Sequence, residues 1–313
     1  MILRVRHETT YAYADRVELA AHLVHLRPRC LPWQRVHSFA VHADPAPSRM
    51  TDGIDHFGNP VAWLFLGGAH YGLQVTTEAE VEVLYRPVPD PNATPAWERV
   101  ADLAQRPAAA TDAAEFTFSS AMASTGGDVR AWAAPSFMPG RPVLAGLLDL
   151  TARINRDFRF QPGVTTVSTS VARVLQLRAG VCQDFAHLMI AGLRAMGLPA
   201  RYVSGYVRTR PAPGQVKMRG ADVSHAWVGC WLGPDHGWVD LDPTNDLVVA
   251  DEHVVLGWGR DFADVSPIHG LLLGGGAHTL SVGVDLEPVG DVVSYPTAEE
   301  RHHRKPASAL RSA

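Results

Sequence analysis

Apolar and polar residues alternate along several short runs in the first 86 residues. The runs LRVRHETTYAYA and LQVTTEAEVEVLYR show this period of two, and PVAWLFLGG is rich in β-branched and aromatic residues. Such runs are typical of strands that turn one face to a core and the other to solvent. Between two of them, HFGNP combines Gly, Asn and Pro, which favour a turn. We therefore predict an N-terminal antiparallel β domain over residues 1–86.

The pattern becomes helical in the second half of the chain. Residues 87–141 are rich in Pro, Ala, Ser and Thr, and we predict a connecting region with one or two short helices there. Apolar residues then return at helical spacing over 142–158 and again from Cys182 to Met196. Gly197 ends the second of these predicted helices.

Three strand-like runs follow the second helix: PARYVSGYV at 199–207, SHAWVGCWL at 224–232 and GWVDLDP at 237–243. Because helices precede a run of strands and the two do not alternate strictly, the pattern predicts an α+β fold and not a repeating βαβ one. We predict a second domain over 142–288. The polar tail 289–313, with its basic cluster RHHRK, is predicted to be disordered.

Composition narrows the class of protein. The chain has 313 residues, of which 46% are hydrophobic and 19% charged, as expected for about two soluble globular domains. The formal net charge of −4 provides no broad basic surface for nucleic acid or for an anionic membrane. The first residues lack the apolar stretch of a secretory signal, and the apolar windows are too short to span a bilayer. We expect a cytoplasmic protein without nucleic-acid or membrane partners.

The three cysteines, Cys30, Cys182 and Cys230, are an odd number without C-x-x-C spacing. They predict neither a disulfide framework nor a structural zinc site, and they suit a reducing cytoplasm. No cofactor and no metal are predicted. A metal site of Cys182, His187 and His225 would need a ligand spacing that the sequence does not display. We predict structural roles for His187 and Cys230.

Cys182 lies two residues after Gly180 and begins the predicted helix of residues 182–196. A thiol at a helix N-terminus meets free backbone N–H groups and the positive end of the helix dipole, which favour the thiolate. The same N–H groups can stabilise an oxyanion. Position alone does not decide the role of Cys182, because many free cysteines are simply buried in a core.

A base and an orienting carboxylate are available on the strands that follow. His225 lies in SHAWVGCWL, and histidine is the side chain that titrates near neutral pH. Asp240 and Asp242, in the next run, are two residues apart and share a face of their strand. Spacing does not choose between them, although Pro243 ends the strand beside Asp242 and favours an open rim for that carboxylate.

The sequence resembles the transglutaminase-like branch of the papain-like cysteine enzymes, in particular its bacterial two-domain members, often described as candidate cysteine proteases. RAGVCQDFAHLMIAGLRAMGLPARYVSGYV resembles the family's nucleophile helix and following strand. SHAWVGCWL resembles its His-Ala-Trp strand, and GWVDLDPT resembles its Gly-Trp and Asp-Pro-Thr strand. Blocks at 157–169 and 259–270, with HETTYAYADRVELAAHLVHLRPR and DGIDHFGNPV, extend the resemblance from residue 1 to about 288.

This resemblance implies a papain-like core in which the nucleophile helix packs on an antiparallel sheet. Carried over position by position, it makes Cys182 the nucleophile, His225 the base and acid, and Asp242 the orienting carboxylate. The logic of such triads is that a base activates the thiol and a third group holds the base.

Other residues of these blocks are weaker candidates for the site. Gln183 and Asp184 are candidates for shaping it, while a carboxylate that favours the helix dipole explains Asp184 equally well. Trp227 and Trp238 are candidates for walls of an acyl-binding groove, although aromatic residues on strands commonly belong to a core. Asp240 stays an alternative to Asp242.

The implied reaction is attack of a thiolate on a peptide or protein amide, which releases the amine and leaves an acyl-thioester on the enzyme. Water then makes the protein a peptidase or amidase, and an amine makes it a transglutaminase-type acyltransferase; the sequence does not separate the two. The alternative is a non-catalytic binding or scaffold protein that retains the fold. The oligomeric state stays open. Residues 208–223, between two strands, are predicted to cover the site.

Overall fold

The computed structural model describes residues 1–106, 112–208 and 224–290. A seven-stranded sheet and a five-stranded sheet carry helices that lie mainly in the second half of the chain, so the predicted α+β fold is confirmed. The predicted covering segment 208–223 and the predicted tail 289–313 lie outside the described residues, apart from positions 208, 289 and 290.

In chain order the strands are β1 (Ile2–Val24), β2 (Gln34–Asp44), β3 (Arg49–Ile54), β4 (Pro60–Leu66), β5 (His70–Val83), β6 (Arg159–Phe160), β7 (Ala179–Gly180), β8 (Ala200–Val207), β9 (Ser224–Trp231), β10 (Trp238–Asp242), β11 (Leu247–Val248), β12 (His253–Gly259), β13 (Ile268–Gly274) and β14 (His278–Pro288). The principal helices are α1 (Trp97–Ala104), α2 (Gly127–Ala133), α3 (Val143–Asp157), α4 (Val171–Leu177) and α5 (Cys182–Ala195).

The first sheet is organised around β1, a single strand of 23 residues. β4 and β5 follow one another along one side of β1, and β13 and β14 follow one another along its other side, all antiparallel to it. β2 and β3 extend the sheet beyond β5 and β4. The register of β1 shifts between Ala12 and Val17, and such irregularities bend a strand.

Gly274, Gly275 and Gly276 lie where β13 leads into β14, opposite the irregular part of β1. All three glycines have positive φ angles, and a Cβ on Gly274 would lie 2.4 Å from the carbonyl oxygen of Arg16. Glycine adopts this conformation without a steric penalty and leaves room for the close approach. The glycines therefore keep β14 paired to β1 across the bend.

The C-terminal end of the range predicted for the second domain, 142–288, lies in the first sheet. β13 and β14 hydrogen-bond to β1 because the second edge of that long strand needs partners for its backbone groups. The predicted connecting region, 87–141, contributes Val100 and Trp132 to the core around α5. Position along the chain revealed neither that β13 and β14 belong to the first sheet nor that residues 87–141 contribute to the core around α5.

The second sheet is antiparallel, with the strand order β11-β10-β9-β8-β12. Helix α5 packs on one face of it, where apolar side chains of the helix meet Ala226, Val228 and Cys230 of β9. On the other face, Tyr206 of β8 and Val254 of β12 share a core with the first sheet. The second sheet is thus the middle layer between α5 and the N-terminal sheet. Within the described ranges, no helix is long and apolar enough to cross a membrane.

His7 links the two sheets. Its Nδ1 lies 2.9 Å from the hydroxyl of Tyr206 on β8, and its Nε2 lies 2.7 Å from Oγ1 of Thr9. The ring is buried, and burial lowers the pKa of His7 from 6.5 to about 4. The neutral imidazole is therefore the form that fits between the sheets.

Acidification is expected to weaken this junction. In the unfolded chain His7 binds a proton near pH 6.5, so its contribution to stability is complete above that pH and is lost as the pH falls toward 4. The slope approaches ~1.4 kcal/mol per pH unit. Urea unfolding at pH 6.5 and pH 5 should show this loss in the wild type and a smaller loss in His7→Gln. An equal pH dependence in both proteins would contradict this role of His7.

Candidate active site

Cys182 is the first residue of α5, and its side chain is partly exposed. Val181 precedes the helix in an extended conformation. The N–H of Phe185 donates to the carbonyl of Val181 at 3.1 Å, so the N–H groups of the preceding positions lie outside the helical ladder. These donors lie at the helix start next to Cys182, and such N–H groups can stabilise an oxyanion.

Asp184 caps the beginning of α5. Its Oδ2 accepts a hydrogen bond from the N–H of Val181 at 2.8 Å and another from the hydroxyl of Thr165 at 2.7 Å. The residue is buried, and burial raises the pKa of Asp184. A Cβ on Gly180 would lie 2.7 Å from Oδ2 of Asp184, so the glycine is needed for this approach. Asp184 holds the helix start and the segment that contains Thr165.

Gln183 and Trp227, both predicted to shape the site, lie in different surroundings. Gln183 Nε2 donates to the carbonyl of Val167 at 3.2 Å and so ties the preceding segment to the helix start. Trp227 has no exposed surface. Its ring packs in a small core that Leu31 and Trp258 border. The hypothesis that Trp227 walls an acyl-binding groove is therefore wrong, because a fully covered side chain cannot contact a substrate.

His225 and Asp242 form a buried pair at one end of the second sheet. His225 Nε2 lies 2.7 Å from Oδ2 of Asp242. The other oxygen, Oδ1, accepts hydrogen bonds from the backbone N–H groups of Thr244 at 3.0 Å and Asn245 at 3.2 Å. His225 also interacts with the side chain of Cys182, which helps to raise the pKa of the imidazole. Since Nε2 is engaged by Asp242, Nδ1 is the ring nitrogen left for the thiol.

The electrostatics of this pair favour its charged form. Burial by itself opposes a charge on His225, but hydrogen bonds and opposite charges from Asp242 and Cys182 outweigh it and raise the pKa of His225 to about 10. Burial likewise opposes ionisation of Asp242, yet hydrogen bonds from His225 and His253 hold the pKa of Asp242 well below its ordinary value. The pair therefore favours an imidazolium on His225 and a carboxylate on Asp242 at neutral pH.

Asp240 shares a strand face with Asp242 but has other partners. Arg86 Nη1 donates to Oδ2 of Asp240 at 3.1 Å, and Arg201 Nη2 lies 3.8 Å from Oδ1. Of the two candidate carboxylates, Asp242 is the one that hydrogen-bonds to His225 among the residues that the structure describes. Trp238 stacks under the guanidinium of Arg201, 4.2 Å from its ring centre, and belongs to this second cluster.

Two further residues touch Asp242 and were not predicted from the sequence. Asn245 Nδ2 donates to Oδ2 of Asp242 at 2.6 Å, and His253 Nε2 lies 3.2 Å from the same oxygen. The position of Asn245 in the turn just after Asp242 is a local signal for such a contact. His253 carries no such signal, because it belongs to β12 and reaches the site through the strand order.

Within the three described ranges, the potential metal ligands His225, Asp242 and His253 are the one group of three whose ligand atoms lie within 4.8 Å of one another. Both histidines are hydrogen-bonded to Oδ2 of Asp242, so a metal ion would have to replace those bonds. His187 stands elsewhere: its Nε2 accepts the N–H of Phe262 at 3.2 Å, and burial lowers the pKa of His187 to about 4.

The remaining cysteines differ from Cys182 in exposure. Cys230 is buried in the core against α5, and burial raises the pKa of its thiol. Cys30 is exposed. Cys182 is thus the cysteine that is partly exposed and interacts with His225.

Two family profiles match the chain. One describes the bacterial transglutaminase-like N-terminal region and matches residues 3–82, and the other describes the transglutaminase-like superfamily and matches residues 130–243, which include Cys182, His225 and Asp242. The chain belongs to the transglutaminase-like superfamily. The match places it in a family of thiol enzymes and confirms the resemblance seen in the sequence.

Some relatives of this transglutaminase-like protein match most of its length, and others match only part of it. An uncharacterized protein of Mycobacterium tuberculosis is 40% identical over 294 residues, which cover 91% of this chain and 92% of that protein. A protein-glutamine gamma-glutamyltransferase of Pseudomonas aeruginosa is 40% identical over 113 residues, which cover 34% of this chain and 16% of that protein.

A solved structure from Cytophaga hutchinsonii, described as a candidate cysteine protease, has the same fold. It superposes with a TM-score of 0.72 at 22% sequence identity and covers 94% of this chain and 92% of that chain. The transglutaminase-like core and the N-terminal sheet therefore occur together in another protein.

Proposed function

We propose that this transglutaminase-like protein is a thiol-dependent amide hydrolase or acyltransferase that acts on peptide or protein amides. Cys182 is the nucleophile, His225 the base and acid, and Asp242 the carboxylate that orients the imidazole. The observation that supports this proposal is that a partly exposed thiol interacts with a buried His225, whose Nε2 lies 2.7 Å from Oδ2 of a buried, ionised Asp242.

The mechanism follows from this series. The thiolate of Cys182 attacks the amide carbonyl carbon, and the N–H groups at the start of α5 stabilise the oxyanion that forms. The proton on Nδ1 of His225 then passes to the amide nitrogen, the C–N bond breaks, and the acyl group remains on sulfur as a thioester. Asp242 keeps Nε2 protonated, so the imidazole exchanges its proton through Nδ1.

The second half of the reaction distinguishes the two activities. Neutral His225 accepts a proton from water or from an amine as that nucleophile attacks the thioester, and the thiolate leaves. Attack by water yields a carboxylic acid, and attack by an amine yields a new amide. The same three side chains serve both outcomes, so access of amine or water to the thioester decides between them.

The rival proposal is a binding or scaffold protein that retains the fold without turnover. Burying an imidazolium and a carboxylate is costly unless the pair is well hydrogen-bonded, and apolar residues of similar size would serve a scaffold equally well. A charged pair beside an accessible thiol therefore favours an enzyme.

The thiol of such an enzyme must remain reduced. Since all three cysteines are free, we propose the reducing cytoplasm as the compartment of this protein.

Labelling with limiting iodoacetamide across pH 5 to 9 tests the proposal. The experiment uses a Cys30→Ser background, because Cys30 is exposed and would also react. A thiolate held by an imidazolium should react well below the ordinary thiol pKa of ~8.5, so we expect Cys182 to be labelled at pH 6 about ten times faster than free cysteine. His225→Ala should remove this advantage. Labelling of Cys182 at the rate of free cysteine, unchanged in His225→Ala, would favour the scaffold.

A second measurement separates hydrolysis from transfer. Casein is incubated with the protein in the presence and absence of a labelled primary amine, and the products are analysed by mass spectrometry. Amine incorporation identifies an acyltransferase, new peptide termini identify a peptidase, and deamidation alone identifies an amidase. A Cys182→Ser variant is the blank for all three products.

A further inference from the structure

Oδ2 of Asp242 is shared by two histidines. His225 Nε2 lies 2.7 Å from it and His253 Nε2 lies 3.2 Å from it, and the two rings are 6.0 Å apart, tilted by 51°. Asn245 Nδ2 adds a third donor at 2.6 Å. The reaction described above uses His225 and leaves His253 without a role.

The strand order brings His253 to this place. β8 lies between β9 and β12, with Gly205 of β8 opposite His225 on one side and Val255 on the other. A Cβ on Gly205 would lie 2.5 Å from the ring of Trp227, so the glycine leaves space for that ring. The rings of Trp227 and His253 are nearly perpendicular, and their centres are 5.1 Å apart. His253 is thereby packed beside Asp242 and the ring of Trp227.

The hydrogen bonding of His253 points to Asp242 alone. An ionised carboxylate only accepts hydrogen bonds, so His253 donates its Nε2–H to Asp242. Nδ1 is buried and has no hydrogen-bond partner in the described part of the chain. Burying an imidazole is unfavourable without compensation, and the bond to Asp242 is the compensation that the structure shows.

We propose that His253 is a positioning residue: its Nε2–H fixes the carboxylate of Asp242 so that Oδ2 stays at Nε2 of His225 and Nδ1 of His225 stays directed at Cys182. This inference rests on the proposed function and adds a fourth side chain to it, one that touches neither the thiol nor the substrate. Asn245 and the backbone N–H groups hold the carboxylate from the turn, and His253 holds it from the opposite strand.

Three roles for His253 predict different results. If His253 positions Asp242, its loss loosens the His225–Asp242 pair, which lowers the pKa of His225 and slows the reaction of Cys182. If His253 competes with His225 for Oδ2, its loss raises the pKa of His225. If His253 only fills space, substitutions of equal size have equal effects, whether or not they can donate a hydrogen bond.

The test compares His253→Gln with His253→Met in the Cys30→Ser background. Gln and Met have similar length and flexibility, but only Gln can donate to Asp242, so the difference between them isolates the hydrogen bond. The pKa of His225 is measured by NMR with ¹⁵N-labelled histidine, with its signal assigned from a His225→Gln sample. The labelling rate of Cys182 at pH 6 and the thermal unfolding temperature are measured on the same proteins. His253→Leu replaces His253→Met should that variant not fold.

We expect the labelling rate of Cys182 in His253→Gln to lie within about twofold of the rate in the parent protein. His253→Met should label about tenfold more slowly, as expected for loss of a hydrogen bond to a charged group, with a His225 pKa lower by about one unit. Equal values in the Gln and Met variants, or a raised His225 pKa in the Met variant, would overturn the positioning role. An unreactive Cys182 in the parent would instead overturn the proposed function, and the His225 signal reports on His253 even then.

Discussion

Replacing Asp242 by asparagine is expected to lower the turnover of amide substrates by about 10,000-fold, as in other triads in which the orienting carboxylate is neutralised. Asp242 now accepts the Nε2–H of His225 at 2.7 Å. An asparagine at this position would donate from Nδ2 to Nε2, and the imidazole would then carry its proton on Nδ1. In that tautomer the nitrogen that faces Cys182 cannot take up the thiol proton.

The measurement is kcat/KM with the substrate found by amine incorporation or hydrolysis, together with the labelling rate of Cys182 at pH 6. Asp240→Asn is the matched control, because Asp240 lies on the same strand face two residues away and has other partners. At a temperature at which both variants are folded, Asp240→Asn should retain turnover near that of the wild type. A similar loss of turnover in both variants would refute the assignment of Asp242.

Asp240→Asn is expected to lower the free energy of unfolding by about 3–5 kcal/mol, which is the usual cost of removing one partner from a buried ion pair. The side chain of Asp240 is 1% exposed and lies between the guanidinium groups of Arg86 and Arg201. Burial lowers the pKa of Arg201 to about 10, against the favourable charge of Asp240. Without that charge, two cations remain in a poorly hydrated place with no carboxylate between them.

The surroundings of these arginines explain why the effect should spread through the whole protein. Arg86 follows the first sheet and stacks on Trp33, 3.8 Å from its ring centre. Arg201 of β8 lies 3.8 Å from the ring centre of Trp258, and Arg29 lies 3.5 Å from the same ring. Asp240 therefore joins the N-terminal sheet to the second sheet through its two arginine partners, which make cation–π contacts with tryptophan rings.

Urea or thermal unfolding of Asp240→Asn, followed by tryptophan fluorescence, measures this loss. Arg86→Met is a useful companion, because it removes one cation and leaves Asp240 paired with Arg201. It should destabilise less than Asp240→Asn does. An unfolding free energy of Asp240→Asn within 1 kcal/mol of the wild type would show that the cluster is hydrated enough to tolerate an unpaired charge.

Much of the candidate site could be predicted from residue types and their immediate neighbours. Cys182 was identifiable because Gly180 lies two positions before it and a helical pattern follows it, and His225 because it stands at the start of an apolar strand. The choice between Asp240 and Asp242 was open on spacing, since alternate residues of a strand face the same side. The resemblance to the family favoured Asp242, and the structure shows which of the two contacts His225.

What the sequence by itself determined are the local elements: the alternating strands of the first 86 residues, the helix from Cys182 and the strands after it. The period of apolar residues and the residues that end helices are properties of neighbouring positions in the chain, so they can be identified without knowledge of the fold. Only the tertiary structure decided that β13 and β14 complete the first sheet, that Trp227 is covered, and that His253 shares the carboxylate of Asp242. The physical reason is that these facts depend on which strands become neighbours. Backbone pairing and burial between residues far apart in the chain set that choice.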